Sequence, residues 1–187
     1  MSESRAGIRR VVTGLDAKGK SVVVMDQAAP NVKVRKAQGG VVSTLMWVTD
    51  DAPADISATR DLSLREIGVP PPERGTIFRI VDYPPIGDAS RIDQAATLRE
   101  LGLAAPAEGH ASRHPLMHRT KSVDYAIVLE GEITMLLDDA EVHLRTGDTV
   151  IQQGTAHAWV NHGPGHCRMA FVLVDAARPP QWPGDEA

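Results

Sequence analysis

Histidines, whose side chains can bind a metal or move a proton near neutral pH, are confined to one part of this chain. All seven lie between His110 and His166, although the chain has 187 residues. This clustering places any imidazole chemistry in the C-terminal half of the sequence.

Two short runs would each present a histidine on a common face with other candidate residues. Alternate side chains of a strand share a face, so His118, Thr120 and Asp124 point the same way if the pleat between them is unbroken. On a second run, His157 shares a face with Trp159. If the two runs face each other, His118, Asp124 and His157 supply two imidazoles and a carboxylate. Such a set leaves positions on a divalent ion open, as a catalytic metal requires.

The elements that must position these residues are predicted to be short strands. Apolar and β-branched runs alternate with Gly, Pro and Asp-Asp turn signals, which is typical of a sandwich or barrel. The predicted strands are Arg9–Thr13, Ser21–Met25, Val41–Thr49, Thr76–Asp82, Asp124–Glu130, Ile133–Leu137, Glu141–Leu144, Thr149–Gln152, His157–Asn161 and Arg168–Val174.

Helical patterns are few. The longest is predicted over Ser90–Leu101, where apolar residues mark one face and Gly102 supplies a stop, and a further helical turn is predicted at Leu62–Ile67. The Pro-rich segments Val69–Pro72 and Arg178–Pro183 are predicted to be extended connectors, because proline cannot donate a ladder hydrogen bond.

The length and composition favour a single domain with one core. Residues 1–110 are predicted to be a strand extension packed on a barrel and part of the same domain. Residues 111–176 are predicted to form the barrel, and residues 177–187 a Pro-rich tail.

A pattern over residues 112–174 resembles the first motif of the cupin superfamily, which consists of small β-barrel proteins. In typical cupins, a Gly and five residues precede His-x-His, three or four residues then precede a Glu, and six more precede a Gly. This chain has His118-Arg119-Thr120, then Asp124 and Gly131 at the corresponding spacing. Ser112 replaces the opening Gly, Thr120 the second His and Asp124 the Glu.

The second cupin motif is also similar. It typically reads Gly, five residues, Pro-x-Gly, two residues, His, three residues and Asn. Gln152 replaces the Pro and one residue is missing before it, but the remaining motif positions match at Gly147, Gly154, His157 and Asn161. The chain is therefore similar to small, cupin-2-like conserved-barrel proteins with degenerate metal motifs.

The resemblance implies an all-β cupin barrel of the double-stranded β-helix or jelly-roll type, with an N-terminal strand extension and one short helix. It also implies a divalent ion held by His118, Asp124 and His157. Zinc, iron, manganese and nickel all accept these ligands, so the ligand set does not identify the metal. A homodimer is expected by the same resemblance, and the N-terminal strands offer edges that a partner could cover.

Three functions remain open. The leading hypothesis is a metal-dependent lyase, a dehydratase or decarboxylase, that activates a small organic substrate by Lewis-acid chemistry. His118, His157 and Thr120 would be its catalytic residues. The alternatives are a cupin dioxygenase with non-haem iron and a metal-free cupin that binds a small ligand. His114 is an alternative ligand, and with His110 it could instead shuttle protons from a loop.

Charge and composition disfavour several other classes of protein. The formal net charge is −4 and no basic block is present, which disfavours nucleic-acid or anionic-membrane binding. No apolar run is long enough for a membrane span, and the first residues do not look like a secretory signal. The single cysteine, Cys167, cannot form an internal disulfide. We therefore expect a cytoplasmic protein whose partner is a small-molecule substrate.

Overall fold

The computed structural model of the chain describes residues 7–57, 60–66, 68–104 and 112–182. Its strands are β1 (Arg9–Leu15), β2 (Ser21–Ala28), β3 (Asn31–Arg35), β4 (Val41–Thr49), β5 (Thr76–Tyr83), β6 (Ser122–Glu130), β7 (Glu132–Leu136), β8 (Glu141–Arg145), β9 (Thr149–Gln153), β10 (Ala158–Val160) and β11 (Cys167–Asp175).

The strands form two sheets and one separate hairpin. A six-stranded sheet has the order β3-β4-β5-β11-β6-β9, a three-stranded sheet has the order β10-β7-β8, and β1 pairs with β2. Each of these pairings is antiparallel. Since β5 pairs with β11, strands from the N-terminal half of the chain are hydrogen-bonded into the same sheet as strands from the C-terminal half.

The core lies between the two sheets. Leu45 and Phe171 of the six-stranded sheet are buried in the same cluster as Met135 and Trp159 of the three-stranded sheet. The rings of Trp159 and Phe171 meet edge to face, with their centroids 5.5 Å apart. The two inner faces thus close around one interior, and the prediction of an all-β barrel is confirmed.

The strand β3 was not predicted from the sequence. It is short, it lies at the edge of the six-stranded sheet, and its Val32 and Val34 are exposed. An edge strand with charged residues between exposed valines lacks the buried face that makes a strand recognisable in a sequence.

The helix is shorter than predicted over Ser90–Leu101. A single 3-10 turn at Ala89–Arg91 precedes α1, which spans Gln94–Leu101. The Asp93 carboxylate accepts a hydrogen bond from the backbone N–H of Ala96, so α1 begins only after this N-cap. The predicted helical turn at 62–67 is a 3-10 helix over Leu62–Leu64, and Ile67 lies outside the described residues.

The described part of the tail, residues 177–182, packs against the barrel through Trp182. The guanidinium of Arg119 lies 4.8 Å from the ring centroid of Trp182. Trp182 also packs so closely on Gly154 that a Cβ at that position would lie 3.0 Å from the indole ring. In the described part of the chain, no helix has the length and apolar character needed to cross a membrane.

Candidate functional site

His118 and His157 are joined through their backbones. The N–H of each residue donates to the carbonyl of the other, with both N–O distances 2.9 Å. This antiparallel bridge stands next to β10, outside the named strands. It brings the two imidazoles side by side, with ring centroids 4.3 Å apart and planes tilted by 52°.

Each imidazole is oriented by a carbonyl two residues before it. The Nδ1 atom of His118 lies 2.9 Å from the carbonyl oxygen of Leu116, and that of His157 lies 3.0 Å from the carbonyl oxygen of Thr155. A carbonyl only accepts, so Nδ1 is the protonated nitrogen in both rings. The Nε2 lone pairs are therefore available to a metal ion or a substrate.

Both rings are held in the neutral form. Burial lowers the pKa of His118, and the positive charge of Arg35 lowers it further. Burial also lowers the pKa of His157 well below its usual value, and the neighbouring His118 adds to the effect. Imidazoles that are neutral at physiological pH are the form that binds a metal.

Asp124 belongs to a separate hydrogen-bond network. Its Oδ1 accepts from Ser122 Oγ at 2.5 Å, and its Oδ2 accepts from Gln152 Nε2 at 3.1 Å. The hydroxyl of Ser122 is also 2.8 Å from that of Thr120. Because Ser122 has one hydroxyl proton and an ionised carboxylate only accepts, Thr120 donates to Ser122, which donates to Asp124.

The Asp124 carboxyl has a raised pKa. Burial is the main cause and raises the pKa to about 6, against the opposing effects of the Ser122 hydrogen bond and the charge of Arg79. The residue is 5% exposed, so the charged form of the carboxyl has little contact with water. A carboxyl that titrates near pH 6 can both release and accept a proton close to neutral pH.

The structure brings together His118 and His157 but does not add Asp124 to them. Among the described residues, no three His, Cys, Asp or Glu side chains are placed to hold one ion. Both carboxylate oxygens of Asp124 accept hydrogen bonds, one from Ser122 and one from Gln152. Metal binding by these residues remains a prediction.

Of the two other candidate histidines, the structure describes only His114. His114 is half-buried, and its Nδ1 accepts a hydrogen bond from the backbone N–H of Leu116 at 3.2 Å. This bond stabilises the turn that leads to His118 and occupies one lone pair of the ring. His110 lies outside the described residues.

Sequence reasoning missed two polar groups inside the barrel. Arg79 lies on β5 between the core residues Ile77 and Val81 and is 5% exposed. Gln152 of β9 has a buried Oε1 atom with no hydrogen-bond partner. A parity count along β5 would have shown that Arg79 shares a face with Ile77 and Val81.

A cavity of about 450 Å³ lies near the histidines, although neither His118 nor His157 lines it. Leu116, whose carbonyl orients His118, and Trp159, which contacts the His157 ring with centroids 6.0 Å apart, both line it. Its wall is mixed, since Lys36 and Asp93 line it together with apolar residues. The cavity is large enough for a small molecule.

Residues 104–174 match the family model described as the cupin domain. Phomopsin biosynthesis cluster protein C' of Diaporthe leptostromiformis is 31% identical over 175 residues, which cover 89% of this chain and 78% of that protein. This chain belongs to the cupin superfamily. The cupin-domain-containing oxidoreductase srdD of Neurospora crassa is 28% identical over 178 residues, covering 90% of this cupin and 77% of that protein.

A solved structure described as a cupin superfamily protein from Desulfitobacterium hafniense is similar at a TM-score of 0.39 and 12% identity. The similarity covers 74% of this chain and 80% of that one.

The structure explains why two motif positions of this cupin are Gly and Asn. Gly131 has a φ of 80°, and a Cβ there would lie 2.6 Å from the carbonyl oxygen of His166. The Asn161 amide donates to the carbonyls of Tyr83 and Gly165 at 2.9 and 2.8 Å, and its Oδ1 accepts from the N–H of Gly163 at 2.9 Å. Gly131 thus allows the close approach of the segment before β11, and Asn161 ties that segment to the end of β5.

Proposed function

We propose that this cupin is a metal-dependent oxidoreductase acting on a small organic molecule, with His118 and His157 as ligands to the ion. The observation that carries the proposal is the common orientation of the two imidazoles, of which His157 is buried and His118 half-buried. Both donate from Nδ1 and present Nε2. A redox-active ion such as iron would supply the electron transfer that this reaction class needs.

The names of the relatives support oxidoreductase rather than lyase chemistry. The Neurospora crassa protein srdD and the Aspergillus ruber protein fogC, which match 90% and 91% of this chain, are both named cupin-domain-containing oxidoreductases. The dioxygenase alternative from the sequence belongs to this class. A metal bound by only two protein side chains would leave several positions for water or substrate.

We assign proton transfer, not metal ligation, to Asp124. Both of its oxygens accept hydrogen bonds from neighbouring side chains, and its pKa of about 6 suits a general acid or base. The chain from Thr120 through Ser122 to Asp124 can relay a proton between the barrel interior and the carboxyl. Thr120 thereby keeps the catalytic role that the sequence suggested, as a relay.

The same carboxyl supports a second candidate, the lyase. A dehydratase or decarboxylase needs a group that moves a proton while a Lewis acid polarises the substrate. Asp124 provides such a group whichever metal is bound. The two candidates therefore differ in the metal and in the need for an oxidant.

The test is elemental analysis of protein purified without chelator and without nickel affinity resin. We expect nearly one equivalent of a redox-active metal in the native protein. We expect none in His118→Ala or His157→Ala. His143→Ala is the matched control, because its side chain is exposed on β8. It should keep the metal.

Three results would overturn the proposal or part of it. Zinc as the resident metal, with full occupancy after reconstitution, would favour the lyase. No metal under any condition would favour the metal-free binding protein. Metal that is lost in Asp124→Asn as well as in the histidine variants would show that the carboxylate is a ligand.

The homodimer and the cytoplasmic location are also proposals. On β2, Val22, Val23 and Val24 are exposed, and β2 pairs only with β1 among the described strands. A second copy that covers this hairpin would remove the valines from water. Sedimentation velocity should give the mass of two chains, and a mass of one chain for the native protein would contradict the dimer.

A further inference from the structure

Two arginines are buried within the barrel on the side of the six-stranded sheet. Arg79 is 5% exposed and Arg35 is 3% exposed. In the strand register, Arg79 lies directly opposite Leu45 of β4 and Phe171 of β11, which are both core residues. The Arg79 side chain therefore starts from the inner face of the sheet.

The hydrogen bonds of Arg79 are incomplete. Its Nη2 donates to the carbonyl of Gly68 at 2.8 Å, whereas its buried Nε–H has no acceptor. No carboxylate of the described residues forms an ion pair with it. The charge of Asp124 acts on this guanidinium but forms no ion pair with it. A buried cation whose charge is only partly balanced is costly, so a further negative group beside it would be stabilising.

Arg35 adds to the positive charge. Its Nη1 donates to the carbonyl of Glu100 in the last turn of α1, which holds the guanidinium in place. Burial lowers the pKa of Arg79 to about 9 and the charge of Arg35 contributes, yet Arg79 remains protonated at neutral pH. Asp124 only partly compensates this charge, because its oxygens are bound to Ser122 and Gln152.

We propose that Arg79 binds a carboxylate group of the substrate inside the barrel, with Arg35 adding positive potential. The substrate class is thus a small organic acid. A guanidinium presents parallel N–H donors that match the two oxygens of a carboxylate. The inference rests on the proposed function only in calling this ligand the substrate.

A series of ring contacts leads from the position opposite Arg79 to His157. Phe171 lies opposite Arg79, its ring meets Trp159 at 5.5 Å, and Trp159 meets His157 at 6.0 Å between centroids. Trp159 also lines the cavity of about 450 Å³. The position opposite Arg79 is thus linked to His157 and to this cavity by ring contacts.

The experiment compares carboxylates with their neutral amides on chelator-treated protein. Acetate and benzoate should raise the melting temperature and give measurable binding by calorimetry, whereas acetamide and benzamide should not. Sodium chloride and sodium phosphate at equal ionic strength separate a carboxylate site from a general anion site. Equal effects of benzoate and benzamide, or of benzoate and chloride, would overturn the proposal without the need for any variant.

Variants then locate the site. Arg79→Gln should weaken benzoate binding by about tenfold or more, as expected for the loss of a charged hydrogen-bond pair. Arg79→Lys keeps the charge but not the paired donors, so its affinity for benzoate should lie between those of Arg79→Gln and the native protein. Arg9→Gln, at an exposed pair on β1, should bind as the native protein does. Unchanged binding in Arg79→Gln would overturn the assignment.

Two outcomes separate this carboxylate site from the proposed metal-dependent function. Carboxylates that bind the chelator-treated protein through Arg79, in a protein that never takes up metal, would sustain this site and reject the metal-dependent enzyme. Carboxylates that bind only the metal-loaded protein, and equally in Arg79→Gln, would reject this site and leave the proposed function intact.

Discussion

His118 and His157 exchange two backbone hydrogen bonds of 2.9 Å while their imidazole rings lie 4.3 Å apart between centroids. Their relative position is therefore set by the backbone and not by side-chain rotation alone. Each ring is further restrained by its Nδ1 bond to Leu116 or Thr155. Such preorganisation lowers the entropic cost of binding an ion or a substrate between them.

We expect both rings to be neutral at pH 7, with the proton on Nδ1, and to become charged only at a lower pH than an exposed histidine. Burial lowers both pKa values, so the folded state resists protonation. Long-range ¹H–¹⁵N NMR of chelator-treated protein distinguishes the two tautomers and the imidazolium. A proton on Nε2 of either ring, or an imidazolium signal, at pH 7 would contradict this prediction.

The same pKa shifts predict how stability depends on pH. A histidine whose folded pKa lies below its unfolded value binds fewer protons in the folded state, so stability is lost as pH falls below about 6.5. His118→Ala combined with His157→Ala should reduce this loss. Urea unfolding of chelator-treated protein at pH 7.5 and 5.5 measures the effect, and an equal pH dependence in the double variant would be the contrary result.

Asp124→Asn should stabilise the chelator-treated protein at pH 8 but not at pH 4. The folded pKa of about 6 lies above the ordinary value of 3.8, so the ionised carboxyl opposes folding above pH 6. The shift corresponds to roughly 3 kcal/mol. The new amide can also donate to the unpaired Oε1 of Gln152 after rotation of the Gln152 amide.

Urea unfolding at both pH values measures this difference. Asp138→Asn, in the exposed turn between β7 and β8, is the control for the loss of a surface carboxylate. If Asp124→Asn destabilises at pH 8 more than at pH 4, the carboxylate is stabilised by the fold and the raised pKa is wrong.

Arg10 and Asp61 form a buried ion pair that ties β1 to the segment before β5. The Nη2–Oδ2 distance is 2.5 Å, and the two side chains are 4% and 6% exposed. Asp61→Asn leaves the guanidinium without a counter-charge and should cost about 3–5 kcal/mol. The double variant Arg10→Met with Asp61→Leu should cost less. Urea unfolding of the native protein, Asp61→Asn and the double variant measures these differences. A double variant that is less stable than Asp61→Asn would contradict the prediction.

Asn161→Ala should lower the free energy of unfolding by roughly 2–4 kcal/mol. The substitution leaves the carbonyls of Tyr83 and Gly165 without their donor and opens space at a fully buried position. Asn31→Ala removes two comparable hydrogen bonds at a half-buried position, so it should cost less. Chemical unfolding measures both, and equal losses would show that burial at Asn161 does not matter.

Much of the fold was readable from the sequence because alternation and turn residues act locally. The predicted strand over Val41–Thr49 matches β4, and the predicted stop at Gly102 is the left-handed residue that ends α1. The edge strand β3 was not predicted, since its valines are exposed and no buried face marks it. A local signal is absent where an element does not contribute to the core.

The class of barrel, the positions of the turns and the importance of His118 and His157 could be inferred from residue types and their spacing. Three features could be seen only in the folded chain: the backbone pairing of these two residues, the hydrogen bonds to Asp124 from Ser122 and Gln152, and the burial of Arg79 and Arg35 in the interior. A hydrogen bond or a buried charge depends on which strands face one another, and no local pattern encodes this. Residues such as Arg79 and Asp124 belong to β5 and β6, which are separated by β11 in the sheet and by many residues in the chain.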